Sequence, residues 1–258
     1  MQEEKIRITW YGTASVRITA GSSQLLIDPF FPFPDSKVKV ASDAFKGCRH
    51  ILISHGHIDH IGSISRIINK GTTVFCSRTP YKTLCGKGIR KENLHLIHPG
   101  SVFSVGEFKV TAFKGKHIRL NALYILKAIF SKRVILNHKG IIGKLFRISE
   151  YPEKKETLCY MVEAYSKRIF ILGSLALDAD TEYPHNADLA VFPYQGSEKL
   201  FEIGKKIYDR LTPESVLLTH FDDTFPPFSS EIDTSEFELY LKKHTTVYKL
   251  SHGNSIEL

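Results

Sequence analysis

Cysteine is scarce in this 258-residue chain, with four residues at Cys48, Cys76, Cys85 and Cys159 and no CxxC pair among them. Scattered thiols give no disulfide framework and no cysteine-based zinc site, so a reducing, cytoplasmic setting is expected. Long apolar runs are also missing. The longest, about Leu120 to Phe130, is interrupted by Asn121 and Lys127. A spanning helix needs roughly 20 apolar residues, so integral membrane insertion is not expected. The opening residues, Met1 to Ile6, contain no apolar stretch of the kind a secretory signal requires. Repeats, low-complexity tracts and linkers are absent too, so residues 1–258 read as a single domain. With 42% hydrophobic and 24% charged residues the chain can bury a sizeable core, which excludes wholesale disorder.

Acid is missing from one long stretch. Between Glu107 and Glu150 there is no acidic residue, and that stretch holds ten basic ones, from Lys109 to Arg147. The chain's net charge is +8, so this one segment carries all of the positive excess. It is also apolar, with Leu123, Ile125, Ile129, Ile135, Ile142, Leu145 and Phe146 among its members. A solvated basic face and an anionic, partly greasy partner explain such a mixture equally well. An anionic membrane surface meeting residues 108–149 is one form of the second reading, and a lid over an anionic substrate is another.

Short strands with turn signals between them dominate the rest. Residues 5–10, 15–20, 24–28, 50–54, 72–76, 94–97, 102–105 and 108–113 read as strands in the first half. Residues 158–164, 168–172, 188–192, 216–219 and 245–250 follow in the second. Helical spacing predicts helices over 61–68, near 80–85, over 197–211 and over 235–243. Residues 119–149 break the rhythm and read as a helical insertion or lid. Two halves of strands with interspersed helices give an α/β or α+β layered sandwich.

The chemistry sits in His55-x-His57-x-Asp59-His60, directly after an apolar strand. Four potential metal ligands in six residues are hard to explain as packing, because imidazole and carboxylate are the ligands that borderline metals such as zinc favour. The i, i+2 spacing puts His55 and His57 on one side of an extended loop. Asp59 and His60 follow where the chain turns into a helix, so they can face a second ion.

This pattern resembles the metallo-β-lactamase superfamily, whose hallmark is HxHxDH. The resemblance runs from Ile8-Thr-Trp-Tyr-Gly-Thr-Ala-Ser15 through Leu26-Ile-Asp28-Pro and the hallmark to Lys114-Gly-Lys-His117 and Leu217-Leu-Thr-His220-Phe. The opening strands and Phe192-Pro-Tyr-Gln-Gly196 look most like the branch of ascorbate-phosphate lactonases and N-acyl phospholipid phosphodiesterases. The resemblance implies a four-layer αββα sandwich. By matching position it implies one ion on His55, His57 and His117 and another on Asp59, His60 and His220. It further implies that Asp59 acts on water as well as ligating; Asp28 reads equally well as a group that orients a ligand histidine and as a turn residue before Pro29. Family members usually bridge the ions with an aspartate after a strand-end glycine; here Ser174 follows Gly173, and Asp178 or Asp180 would have to reach in from the loop.

The function so implied is a metal-dependent hydrolase with one or two divalent ions, zinc first and manganese or iron also possible. Its substrate would be an anionic small-molecule ester, either a phosphodiester or a phosphorylated lactone. The alternatives are a membrane-surface phospholipid phosphodiesterase and a degenerate, non-catalytic metal binder. Nucleic acid is not an expected partner, since charge alone gives nonspecific binding and the aromatics form no base-stacking set.

Overall fold

The computed structural model describes residues 4–118, 141–224, 226–227 and 229–258. Alternation along the strands builds two sheets. The first contains β1 (Ile6–Gly12), β2 (Ser15–Ala20), β3 (Ser23–Ile27), β4 (His50–Leu52), β5 (Thr73–Cys76), β6 (Leu94–Leu96) and β14 (Ser255–Glu257), in the order β14-β1-β2-β3-β4-β5-β6. The second contains β7 (Val102–Val105), β8 (Phe108–Lys114), β9 (Leu158–Ala164), β10 (Lys167–Ile171), β11 (Leu189–Pro193), β12 (Ser215–Thr219) and β13 (Thr246–Lys249), in the order β13-β12-β11-β10-β9-β8-β7. Neighbours run parallel from β3 to β6 and from β10 to β13, and antiparallel elsewhere.

The two-residue period decides which side each residue feeds. Leu25, Ile27, Leu52 and Phe75 join the core between the sheets, where Phe108, Val110, Tyr160 and Val162 meet them. Their neighbours Leu26, Ile51, Ile53, Val74 and Cys76 point outward instead. There they pack against Ile61 of α1 (Ile58–Ile61), Ile64 of α2 (Ile64–Ile67) and Leu84 of α3 (Arg78–Gly86). On the far side, α5 (Leu200–Leu211) buries Leu200, Gly204, Ile207, Tyr208 and Leu211, a stripe at helical spacing. Phe237 of α6 (Ser235–Leu241) lies so close to Gly204 that a Cβ there would meet the ring at 2.8 Å, and it stacks on Tyr194 at 4.9 Å. Helix, sheet, sheet and helix thus form four layers, the αββα sandwich. No helix of the described residues is long and apolar enough to cross a membrane.

Two details differ from the expectation. The helix expected over 61–68 begins earlier, at Ile58, and is split into α1 and α2. The break lies at Ser63, whose hydroxyl accepts the Phe31 N–H at 2.8 Å and ties the helix start to the loop after β3. A final strand, β14, pairs antiparallel with β1 through Arg7 and Glu257; three residues are too few to show a period. Of the expected insertion over 119–149, residues 119–140 lie outside the described residues, and the rest forms α4 (Ile141–Ser149).

The ends of β3, β4, β8, β10 and β12 converge on one edge of the sandwich. Gly173, after β10, lets this edge close: a Cβ there would sit 2.1 Å from the Leu158 carbonyl oxygen and 3.0 Å from Ser54 Cβ. Backbone cannot give way as a side chain can. Gly173→Ala is therefore expected to lower stability by about 1–3 kcal/mol or more, read as the midpoint of chemical unfolding. An unchanged midpoint would show that the strand ends are not packed this closely.

Candidate metal centre

The site is built upward from Asp28. Where β3 ends, Asp28 adopts a left-handed backbone with φ 44°, a conformation few non-glycine residues accept. It is held there at both ends. Its N–H donates to the Leu52 carbonyl at 3.0 Å, and its carbonyl accepts the Ser15 hydroxyl at 2.8 Å. Ser15 Oγ in turn accepts the Phe30 N–H at 2.9 Å. This turn delivers a buried carboxylate beneath the loop after β4. The Asp28 carboxylate accepts the Ser54 N–H at 2.8 Å and the Ser54 hydroxyl at 2.5 Å, and Nδ1 of His60 lies 2.8 Å from its Oδ2. Asp28 is thus the support beneath a histidine rather than a mere turn residue.

Above that support the loop presents His55 and His57, and β8 brings His117 to meet them. Ring centroids are 4.8 Å apart for His55 and His57, 4.8 Å for His55 and His117, and 4.6 Å for His57 and His117. The chain after β8 is anchored by Gly115 N–H on the Thr157 carbonyl at 2.7 Å and by Ile118 N–H on the Ser174 hydroxyl at 3.1 Å. His117 Nδ1 lies 2.8 Å from the Ile118 carbonyl, so it donates there and leaves Nε2 free.

Asp59, His60 and His220 form a second group beside the first. Asp59 Oδ2 lies 3.0 Å from His220 Nε2 and 3.5 Å from His60 Nε2. His220 follows β12 in a left-handed conformation with φ 58°. Its N–H donates to the Thr13 carbonyl at 2.9 Å, which also accepts the Trp10 indole N–H at 2.8 Å. The Thr13 N–H in turn donates to both Asp222 oxygens at 3.0 Å. His252 completes this network, with Nε2 2.8 Å from Asp222 and its ring stacked on Trp10 at 4.6 Å. Nothing near His252 in sequence distinguishes it from a surface histidine; only β14 returning beside β1 puts it there. His220 Nδ1 is buried and has no hydrogen-bond partner among the described residues.

In each group one potential ligand atom per residue lies within 4.8 Å of the others, so both triads can hold a metal ion. The rings of His55 and His60, 3.9 Å apart, join them. Burial, reinforced by the neighbouring imidazoles, lowers His55 well below the ordinary histidine range. Burial also lowers His57, to about 4, and His117. Neutral imidazole is the form a metal takes. Burial pushes His60 down, but Asp28 and Asp59 outweigh it and raise its value. For Asp59 burial pushes upward, and His60, His220 and His57 prevail to hold it far below the usual carboxylate range. Donor set and spacing of both groups, with the lowered histidines of the first, therefore fit divalent ions.

Ser174 stands beside this centre but is engaged with Ile118. Asp178 pairs with Lys114 at 3.0 Å and accepts the Thr181 hydroxyl at 3.0 Å, and neither Asp178 nor Asp180 belongs to either donor group.

Comparison with known proteins decides the family. The profile of the β-lactamase superfamily domain matches residues 23–221, which include both donor groups. The chain belongs to the metallo-β-lactamase superfamily. It is 34% identical over 116 residues to a metal-dependent hydrolase of Methylobacterium nodulans, covering 43% of this chain and 48% of that protein. With a metal-dependent hydrolase of Agrobacterium fabrum it shares 32% over 114 residues, again 43% and 48%. The chain thus spans about half the length of the curated relatives it matches. Its fold is that of a metallo hydrolase from Ignicoccus hospitalis (TM-score 0.66, 16% identity, 98% of each chain). It is also that of a diiron β-hydroxylase from Streptomyces venezuelae (TM-score 0.62, 13% identity, 100% of this chain and 55% of that one).

The lowered histidines fix a pH response for this superfamily member. Between about 4 and 6.5 the unfolded chain protonates at His57 while the folded chain does not, and His55 and His117 act in the same direction. Stability from these three is full above the unfolded value and is lost as pH falls. His60, with its raised value, acts oppositely: its contribution is present below the unfolded value and lost as pH rises through the folded one. Three outweigh one. Thermal unfolding of the metal-free chain is expected to move to lower temperature from pH 7 to pH 5, at about 1.4 kcal/mol per pH unit for each net proton. A constant or rising midpoint would contradict this.

Proposed function

We propose that this chain is a metal-dependent hydrolase of anionic small-molecule esters, with phosphodiesters and phosphorylated lactones as the substrate class. The observation that carries the reading is the meeting of six side chains, from three distant stretches of chain, in two adjoining donor groups. His55, His57 and His117 would hold one divalent ion, and Asp59, His60 and His220 a second where two are bound. A bound divalent ion supplies Lewis acidity, lowering the pKa of water towards neutrality and polarising a carbonyl or phosphoryl oxygen. Zinc suits this donor set best, and manganese or iron accept it too. Asp59 is the catalytic carboxylate. Its Oδ2 is oriented by His220 and His60, and its strongly lowered value keeps it ionised, so it orients water as a charged hydrogen-bond acceptor.

Anionic substrate is favoured by the basic run of sequence that contains His117. Lys116 is exposed beside it, and no acidic residue occurs anywhere from 108 to 149. The four free cysteines suit a cytoplasmic location.

A phospholipid substrate is the second reading, and α4 favours it. Phe146 is 70% and Leu145 45% exposed, beside Lys144 and Arg147. On the next turn Ile148 packs with Phe30, Phe33 and Ile58, so this greasy, basic helix is seated on the hallmark loop. A basic amphipathic element of this kind suits an anionic bilayer surface.

Elemental analysis and hydrolysis of a chromogenic phosphodiester test the first reading. The zinc-reconstituted chain should retain one or two ions and lose activity to a chelator. Asp59→Asn should lower turnover by about 100-fold or more. A chain that retains no ion, or an Asp59→Asn variant with full activity, would sink it. Sedimentation with phosphatidylglycerol vesicles tests the second: binding should weaken with added salt and with Phe146→Asp, and no binding at low salt would exclude it.

A further inference from the structure

One hydroxyl touches both donor groups. Ser54 is fully buried, and its Oγ lies 2.5 Å from Asp28 Oδ2, 2.9 Å from His55 Nδ1 and 3.2 Å from His60 Nδ1. His55 belongs to the three-histidine group and His60 to the other. We infer that Ser54 is a positioning residue that fixes the proton position of His55 directly and supports that of His60 through Asp28. This rests on the metal-dependent reading above.

The argument is a count of protons. A serine hydroxyl has one hydrogen and two lone pairs, and an ionised carboxylate can only accept. The short contact to Asp28 takes the hydroxyl hydrogen. Ser54 Oγ then faces both imidazoles with lone pairs alone, so His55 Nδ1 must carry a hydrogen. His60 Nδ1 carries one as well, donated mainly to Asp28 at 2.8 Å. With hydrogen on both Nδ1 atoms, both Nε2 atoms keep their lone pairs for a metal. Asp28 is itself oriented by the Ser54 N–H at 2.8 Å, so backbone and side chain of one residue set the whole arrangement. Ser54 cannot shift away, because its carbonyl accepts the Leu158 N–H at 2.8 Å and Gly173 closes over its Cβ.

The two groups depend on Ser54 unequally. His55 Nδ1 has the hydroxyl as its acceptor, whereas His60 keeps Asp28 when the hydroxyl is removed. Ser54→Ala should therefore release the tautomer of His55 and leave that of His60 in place. Loss of such an outer partner typically costs 10–100-fold in metal affinity. That loss should fall on the three-histidine group.

Histidine ¹⁵N spectra of the full chain, metal-free and through a zinc titration, read this directly. The wild type should show hydrogen on Nδ1 of His55 and His60 in both forms. Ser54→Ala should give mixed tautomers at His55 alone, with zinc affinity at His55, His57 and His117 reduced about 10–100-fold and that at His60 and His220 far less affected. Ser54→Thr should restore the wild-type pattern. Hydrogen on Nε2 of His55 in the wild type would overturn the inference whatever the variants do, as would an alanine variant with unchanged tautomers and affinity. A wild type that binds no zinc would end the hydrolase reading instead, while the metal-free spectra still decide the role of Ser54.

Discussion

Asp28 is 1% exposed, and its carboxylate accepts the Ser54 N–H and hydroxyl and faces the ring nitrogen of His60. A buried charge left without partners is strongly unfavourable, so the loop that satisfies this carboxylate is held where the carboxylate is. That constraint propagates. The left-handed turn at Asp28 requires Ser15 and Leu52 as hydrogen-bond partners, which ties the antiparallel half of the first sheet to its parallel half. His60, once fixed, sets the position of Asp59 and, through Ser54, of His55. The geometry of the candidate metal centre follows from one carboxylate placed under one loop.

Across the gap the second sheet contributes less chain but equal geometry. β8 and β12 each run on into a histidine, and the backbone at or beside each is locked. The Ile118 N–H is caught by Ser174, and the His220 N–H by the Thr13 carbonyl. Thr13 is in turn held by Asp222, Asp222 by His252, and His252 by stacking on Trp10. In this chain the residue after Gly173 is a hydroxyl that serves the His117 loop, and among the described residues the two donor groups are linked through Ser54 and Asp28 below.

Legibility in the sequence followed the range of the interactions. His55, His57, Asp59 and His60 stand within six residues, and local density alone marks them as candidate ligands. Strands such as β3 and β9 show their apolar runs directly. His117 and His220 came from the match to the family pattern, since each is an ordinary residue at a strand end until the sheets are stacked. Ser54 and His252 had no signal: one is a serine after an apolar strand, the other a histidine near the chain's end. Their roles exist only once β3 lies beside β4 and β14 beside β1. The single helix expected over 61–68 failed for the same reason, because Ser63 is recruited by the backbone of Phe31 across the fold.

Anomalous diffraction from crystals of the zinc-reconstituted chain, collected on both sides of the zinc edge, tests the central claim most directly. The account predicts density enclosed by His55, His57 and His117, and by Asp59, His60 and His220 where a second ion is bound. An anomalous map with no peak at either group, or with zinc only at sites elsewhere on the protein, would contradict it.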